Sequence, residues 1–203
     1  EETKKWIEAK KQETDKLKIE QAFLTQILRA DDQSFSGDDR LSVNVKKVLE
    51  LLGFEVTDVD KEIQTSIRKE DFWIVDGNYF ALGEVTGTEA KNPKVTEYNG
   101  LLGRMNTILK RKDIPSALSK KGEIKGILIV NHDRKSNPLS RPDIYTGENE
   151  EIVEASLEQG ISILSTVELY KIAKAVKEGD LSKIEARKII KSGGRIKFEA
   201  NTG

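Results

Sequence analysis

Two acidic side chains carry the chain's strongest chemical signal. Asp71 opens the β-rich run Asp71–Val75, Glu84 lies near the end of the run Tyr79–Thr86, and Asp76-Gly77-Asn78 between them is a hairpin turn signal. With that turn, residues pair when their numbers sum to about 154 or 155, which sets Asp71 opposite Gly83 or Glu84. Carboxylates side by side repel by a few kcal/mol at an effective dielectric of about 20 unless a cation lies between them. A hard divalent ion, Mg²⁺ or Mn²⁺, held by both carboxylates and a backbone carbonyl would resolve that repulsion. Taken alone, the same two acids also read as solvent-facing strand ends.

A second group follows an apolar run. Asn131, His132, Asp133 and Arg134 come directly after Lys125–Asn131, the pattern of a strand buried on both faces, and ligands of α/β sheets bind at that end of a strand. Arg134 and Arg141 have the fork geometry to grip phosphate, or they pair with Asp133 and Asp143. Other chemistries are excluded. The chain has no cysteine, hence no disulfide, thiolate metal site or cysteine nucleophile, and His132 is its one histidine, which leaves histidine-rich metal sites and a Ser-His-Asp triad poorly supplied. Neither a Walker-type phosphate loop nor a Rossmann glycine fingerprint occurs.

The elements that must position these residues follow from periodicity. Residues 1–30 read as a helical arm with an incomplete apolar stripe through Trp6, Leu17, Leu24 and Ile27, exposed early, docked late, and able to pair with a second copy. Residues 31–203 read as one α/β domain. Asp31–Arg40 is a loop, Leu41–Leu52 a helix closed by Gly53, and Phe54–Val59 a strand, followed by a polar stretch to Lys69. After the hairpin come a helix over Val95–Lys112 with Leu101, Leu102, Met105, Ile108 and Leu109 inward, then the strand Lys125–Asn131 and a loop over Asn137–Gly147. Helices over Glu148–Gln159, Thr166–Glu178 and Ser182–Lys191 enclose a strand at Gly160–Leu164. A hairpin mixed with βα crossovers implies a small mixed sheet flanked by helices. Phe72 and Trp73 point to opposite faces, so one of them belongs to the core.

This order resembles the restriction-endonuclease-like, PD-(D/E)XK superfamily. The resemblance runs from about Leu41 to Val130, and extends through Lys125–Arg134, Pro138–Pro142, Gly160–Glu168 and Gly179–Arg187 to a branch with an E-V-(K/T)-G strand and a GILIVNHxR…RP strand and loop. It implies a restriction-endonuclease-like core that hydrolyses phosphodiesters of DNA or RNA with Mg²⁺ or Mn²⁺. Asp71 falls at the family's metal-binding Asp, Glu84 at its second acid, and the carbonyl of Val85 completes the metal ligands. The family's Lys, two residues after the Glu, is replaced by Thr86, which offers a hydroxyl but no positive charge for the scissile phosphate. Lys91, Lys94 or Arg104 would have to supply it. Nor does a helix acid stand at Ser42 or Asn44, and Glu50 comes one or two turns late. The site is therefore expected to be degenerate. The alternative is a non-catalytic module that keeps the fold and binds nucleic acid or a protein partner, dimerising through its arm.

Net charge is −1 from 34 bases and 35 acids, yet it is a cancellation. Residues 31–90 hold fourteen acids and six bases, residues 101–135 nine bases and three acids, and residues 181–198 six bases and one acid. Basic segments flanking an acidic one suit a phosphate backbone beside a metal site, and also suit ordinary solvated faces. No apolar run reaches the roughly 18 residues of a membrane span, and no secretory leader opens the chain. A cytoplasmic protein is expected. The chain opens on Glu1 and has its one methionine at Met105, as in a processed chain or part of a longer one.

Overall fold

The computed structural model describes residues 6–8, 10–11, 22–29, 40–62, 70–110, 114 and 122–199. Six strands form a single sheet in the order β1 to β6: β1 Glu55–Asp58, β2 Phe72–Asp76, β3 Tyr79–Gly87, β4 Ile124–Asn131, β5 Ile161–Ser165 and β6 Gly194–Arg195. The first three are antiparallel, and β3 to β6 run parallel. The hairpin pairs Phe72 with Gly83 and Asp76 with Tyr79, the register the turn predicts, with Gly77 at φ +59° where a tight β-turn needs a left-handed residue.

Among the described residues the faces are covered by α1 Leu41–Leu51, α2 Val59–Glu62, α3 Val95–Thr107, α4 Glu150–Glu158, α5 Thr166–Glu178 and α6 Lys183–Ile190. Strand parity sorts the core into two layers. Phe72, Ile74, Ala81, Ile127 and Ile129 pack toward α1, α5 and α6, while Trp73, Val75, Phe80, Leu82, Leu128 and Val130 pack toward α3 and α4. Parallel strands buried on both faces explain why β4 reads as an unbroken apolar run. The result is the mixed sheet flanked by helices that the sequence implies.

Caps fix several boundaries. Ser165 accepts the Glu168 N–H at 3.0 Å at the start of α5, and Ser182 with Glu185 forms a reciprocal capping box at α6. Gly53 follows α1 at φ +91°, and the Arg187 guanidinium lies so close that a Cβ there would sit 2.5 Å from its Nη1.

Some expectations change. The helix expected to Lys112 tightens into a 3₁₀ turn at Ile108–Lys110, and the altered pitch swings Leu109 outward to 61% exposure while Ile108 stays buried. Both Phe72 and Trp73 are core, one on each face, because the sheet is covered on both sides. The arm is described only in part. Residues 6–8, 10–11 and 22–26 are helical, Trp6 and Ile7 are exposed, and Leu24 and Ile27 are buried against the α1 side of the sheet. The expected loop at 31–39 and the polar stretch 63–69 lie outside the described residues. Among the described residues no helix is long and apolar enough to cross a membrane.

Candidate active site

The carboxyl ends of β3 to β6 and the start of β2 share one edge of the sheet, and the acid pair lies there. Asp71 immediately precedes β2, whose register ends at the pair Phe72 and Gly83; its N–H also donates to the Gly83 carbonyl at 3.0 Å, which sets Asp71 against Gly83, next to Glu84 in the chain. Beyond that rung the ladder ends. The Val85 N–H turns instead to the Asp71 carboxylate, donating to Oδ2 at 2.6 Å. In an extended strand a residue's N–H and C=O point to the same side, so the Val85 carbonyl faces the same edge. Glu84, only 6% exposed, shares its face of β3 with Phe80 and Leu82, toward α3. Thr86 lies two residues on, on the same face and half-buried.

Among the described residues, the cation beside Glu84 is Arg104. Its Nη2 lies 2.6 Å from Glu84 Oε2, with the two side chains 19% and 8% exposed. The crossover from β3 sends α3 back along the strand, and helical side chains lean toward the helix N-terminus, so a residue late in α3 reaches Glu84. Gly100, one turn earlier, leaves room for the guanidinium, whose Nη1 would lie 3.5 Å from a Cβ at that position. The other two cations proposed for this place do not meet the acids. Lys91 and Lys94 are exposed on the loop between β3 and α3, on the rim of the same edge.

Glu70 was missed by pattern reasoning. It is fully buried beside Asp71 and accepts the Trp73 indole N–H. The signal was its place three residues before a tryptophan that, once buried, needs an acceptor. Glu50 is half exposed and paired with Lys46 at 3.9 Å.

The loop after β4 is built rather than open. The Thr88 N–H donates to Asn131 O at 2.9 Å and the Asp133 N–H to Ala90 O at 2.9 Å, zipping it to the loop after β3. Asp133 holds φ +46° and Tyr145 φ +53° in this region. Tyr145, fully buried, donates its N–H to the Asn92 side chain at 2.7 Å and its hydroxyl to Lys94 O at 3.3 Å. His132 is buried; its Nε2 lies 2.6 Å from Pro142 O, and burial pushes the imidazole below its usual range. It is a structural histidine.

Arg141 is a latch, not an exposed phosphate grip. One end donates to Asn131 Oδ1 at 2.7 Å and the other to Leu28 O at 2.9 Å, which ties the arm to the end of β4. Its expected pairing with Asp143 does not occur: Asp143 takes Lys197 at 2.5 Å, because the backbone carbonyls and Asn131 already absorb the guanidinium. Burial, and behind it the neighbouring Arg134, hold the Arg141 pKa below its usual value against the pull of Asp133. Arg134 packs over Gly87 on the α1 side of the sheet, opposite the face of Glu84.

Among the described residues no group of three or more His, Cys, Asp or Glu gathers into a metal cluster. What the edge offers is two carboxylates and one carbonyl, all hard oxygen donors, the set suited to Mg²⁺ or Mn²⁺ rather than to softer ions. By donor chemistry Asp71, Glu84 and the Val85 carbonyl suit such an ion, with the Asp71 carboxylate at the Val85 N–H and the Glu84 carboxylate against Arg104.

Comparison with known proteins bears on the fold. The structures it resembles include two of the restriction endonuclease FokI, one of them described as bound to DNA; each gives a TM-score of 0.55, at 17% and 18% identity. The alignment covers 86% of this chain and 30% of FokI, so the chain spans less than a third of the length of that protein. The fold is restriction-endonuclease-like. No family model matches the chain, and neither does any curated protein. On the restriction-endonuclease-like frame, the start of β2 and the end of β3 hold the acid pair, and α3 holds the cation.

Proposed function

We propose that this is a nuclease-like domain that binds DNA or RNA along the carboxyl edge of its sheet and hydrolyses phosphodiesters with a divalent metal, its site being altered at Thr86. The observation that carries this reading is the placement of Arg104 against Glu84, with the Asp71 carboxylate one residue away at the Val85 N–H. A buried guanidinium beside an acid pair restores the positive charge that Thr86 lacks. Asp71, Glu84 and the Val85 carbonyl would hold Mg²⁺ or Mn²⁺, which when bound lowers the pKa of a coordinated water and stabilises the leaving oxygen. Arg104 stabilises negative charge on the phosphate, Thr86 presents a hydroxyl on the same face, and Lys91 and Lys94 attract the backbone. Arg134, on the loop zipped to theirs, extends that basic rim; Arg141 serves it by holding the loop. DNA is the ligand in one of the FokI structures, which supports a nucleic acid as partner.

The test is incubation with plasmid, single-stranded DNA and RNA in Mn²⁺. Cleavage lost in both Asp71→Asn and Glu84→Gln supports the reading; no Asp71-dependent cleavage of any substrate sinks it. The second reading, a binding module without turnover, is favoured by Thr86 and by the engagement of both carboxylates within the fold. Salt-dependent binding unchanged by Asp71→Asn and without cleavage would support it. Pairing of two copies through the arm belongs to that reading, with Trp6 and Ile7 exposed on it, and sedimentation equilibrium tests it.

A further inference from the structure

We infer that Arg104 gates the acid pair: it and a divalent cation hold Glu84 by turns, and a phosphate oxyanion arriving at the carboxyl edge draws Arg104 away and opens Glu84 to the ion. The inference rests on the nuclease reading above and adds to it an order of loading.

Three observations carry it. First, the guanidinium occupies the cation's place, since Nη2 lies 2.6 Å from Glu84 Oε2 in a setting where both side chains are largely buried. An ion entering there meets a positive charge already in contact with its ligand, and two cations on one buried carboxylate oppose each other strongly. Second, Arg104 is held by charge and little else. Its Nε and Nη2 are buried without a well-directed hydrogen bond, so donors remain for an oxyanion. Three other part-buried arginines are fastened to carbonyls as well as acids or amides: Arg141 to Asn131 and Leu28 O, Arg187 to Leu52 O and Asp76, Arg195 to Ile144 O, Tyr145 O and Glu150. Third, no side chain stands beside the guanidinium on the side toward the start of α3: Gly100 lies there, and a Cβ on it would be 3.5 Å from Nη1. The start of α3 is at the carboxyl edge, directly after Lys94. A guanidinium withdrawing along Gly100 thus moves toward the rim where Lys91 and Lys94 would hold a phosphate, and a bidentate pair with an oxyanion replaces its pair with Glu84.

Mn²⁺ titration followed by the electron paramagnetic resonance of the free ion tests this on the full chain, using wild type, Arg104→Gln and the double variant Arg104→Gln/Glu84→Gln. Arg104→Gln is expected to tighten Mn²⁺ binding by about 5–150-fold, the usual span of site-to-site coupling, and the double variant to lose that gain. Dimethyl phosphate, a diester anion, is expected to tighten Mn²⁺ on wild type and to leave Arg104→Gln unchanged. Equal Mn²⁺ affinity in wild type and Arg104→Gln, or weaker binding in the variant, overturns the gate while leaving the nuclease reading standing. Absence of Glu84-dependent Mn²⁺ binding in both overturns the two together. Should circular dichroism show Arg104→Gln unfolded, wild type decides alone: a Mn²⁺ affinity that does not respond to dimethyl phosphate refutes the gate.

Discussion

Asp71 has two duties that substitution can separate. Its carboxylate is proposed as a metal ligand, and it also accepts the N–H of Val85, a residue 7% exposed, at the point where the β2–β3 ladder stops. Asp71→Ala and Asp71→Asn remove the same charge, but the asparagine retains an oxygen that can take the Val85 N–H. The difference between them therefore isolates the hydrogen bond. A buried N–H left without an acceptor costs about 1–3 kcal/mol. In a domain of this size that corresponds to a melting temperature about 2–12 °C lower for Asp71→Ala than for Asp71→Asn. Mn²⁺-dependent cleavage should vanish in both. Thermal melts and urea unfolding of the three proteins, beside a cleavage assay at a temperature where all are folded, give both readouts. If Asp71→Asn is as destabilised as Asp71→Ala, the carboxylate is not closing the ladder as described. If Asp71→Asn retains full cleavage, Asp71 is not a metal ligand.

Three further outcomes follow from the geometry. Asp76 accepts Lys191 at 2.5 Å and Arg187 at 3.1 Å; burial raises its pKa, but the two cations outweigh burial and hold it below the ordinary 3.8. Its stabilising effect is therefore fully present above the unfolded-state pKa and is lost as pH falls through the lower folded-state value, so Asp76→Asn should cost about 1–2 kcal/mol in urea unfolding at pH 7 and progressively less below about pH 4. Arg141→Lys, which cannot span Asn131 and Leu28 together, should speed amide hydrogen exchange at residues 22–29 while leaving β2 and β3 protected. Lys91→Ala and Lys94→Ala should each lower the slope of log affinity against log salt for an oligonucleotide by about one, measured by fluorescence anisotropy.

What the sequence made legible was whatever depends on neighbours in the chain. The hairpin register follows from a two-residue turn, so the sequence sets Asp71 opposite Gly83 or Glu84 and the structure bonds it to Gly83, and the helices expected from Thr166 and Ser182 start at Thr166 and Lys183. The two-residue strand β6 left no period to read, and Leu109 kept its helical phase on paper but not through a change of pitch. Arginines were the least legible. Arg141 looked like a phosphate grip because one of its partners, the Leu28 carbonyl 113 residues away, is a backbone group that every residue type carries. The choice among Lys91, Lys94 and Arg104 was equally closed, since it turns on how far α3 runs back along β3 and on the room Gly100 leaves beside it. The acids of this site are thus a property of local sequence, whereas their counter-charge is a property of the crossover. A substitution that shifts α3 along the sheet, far from either carboxylate, should break the pair between Arg104 and Glu84 as surely as removing Arg104.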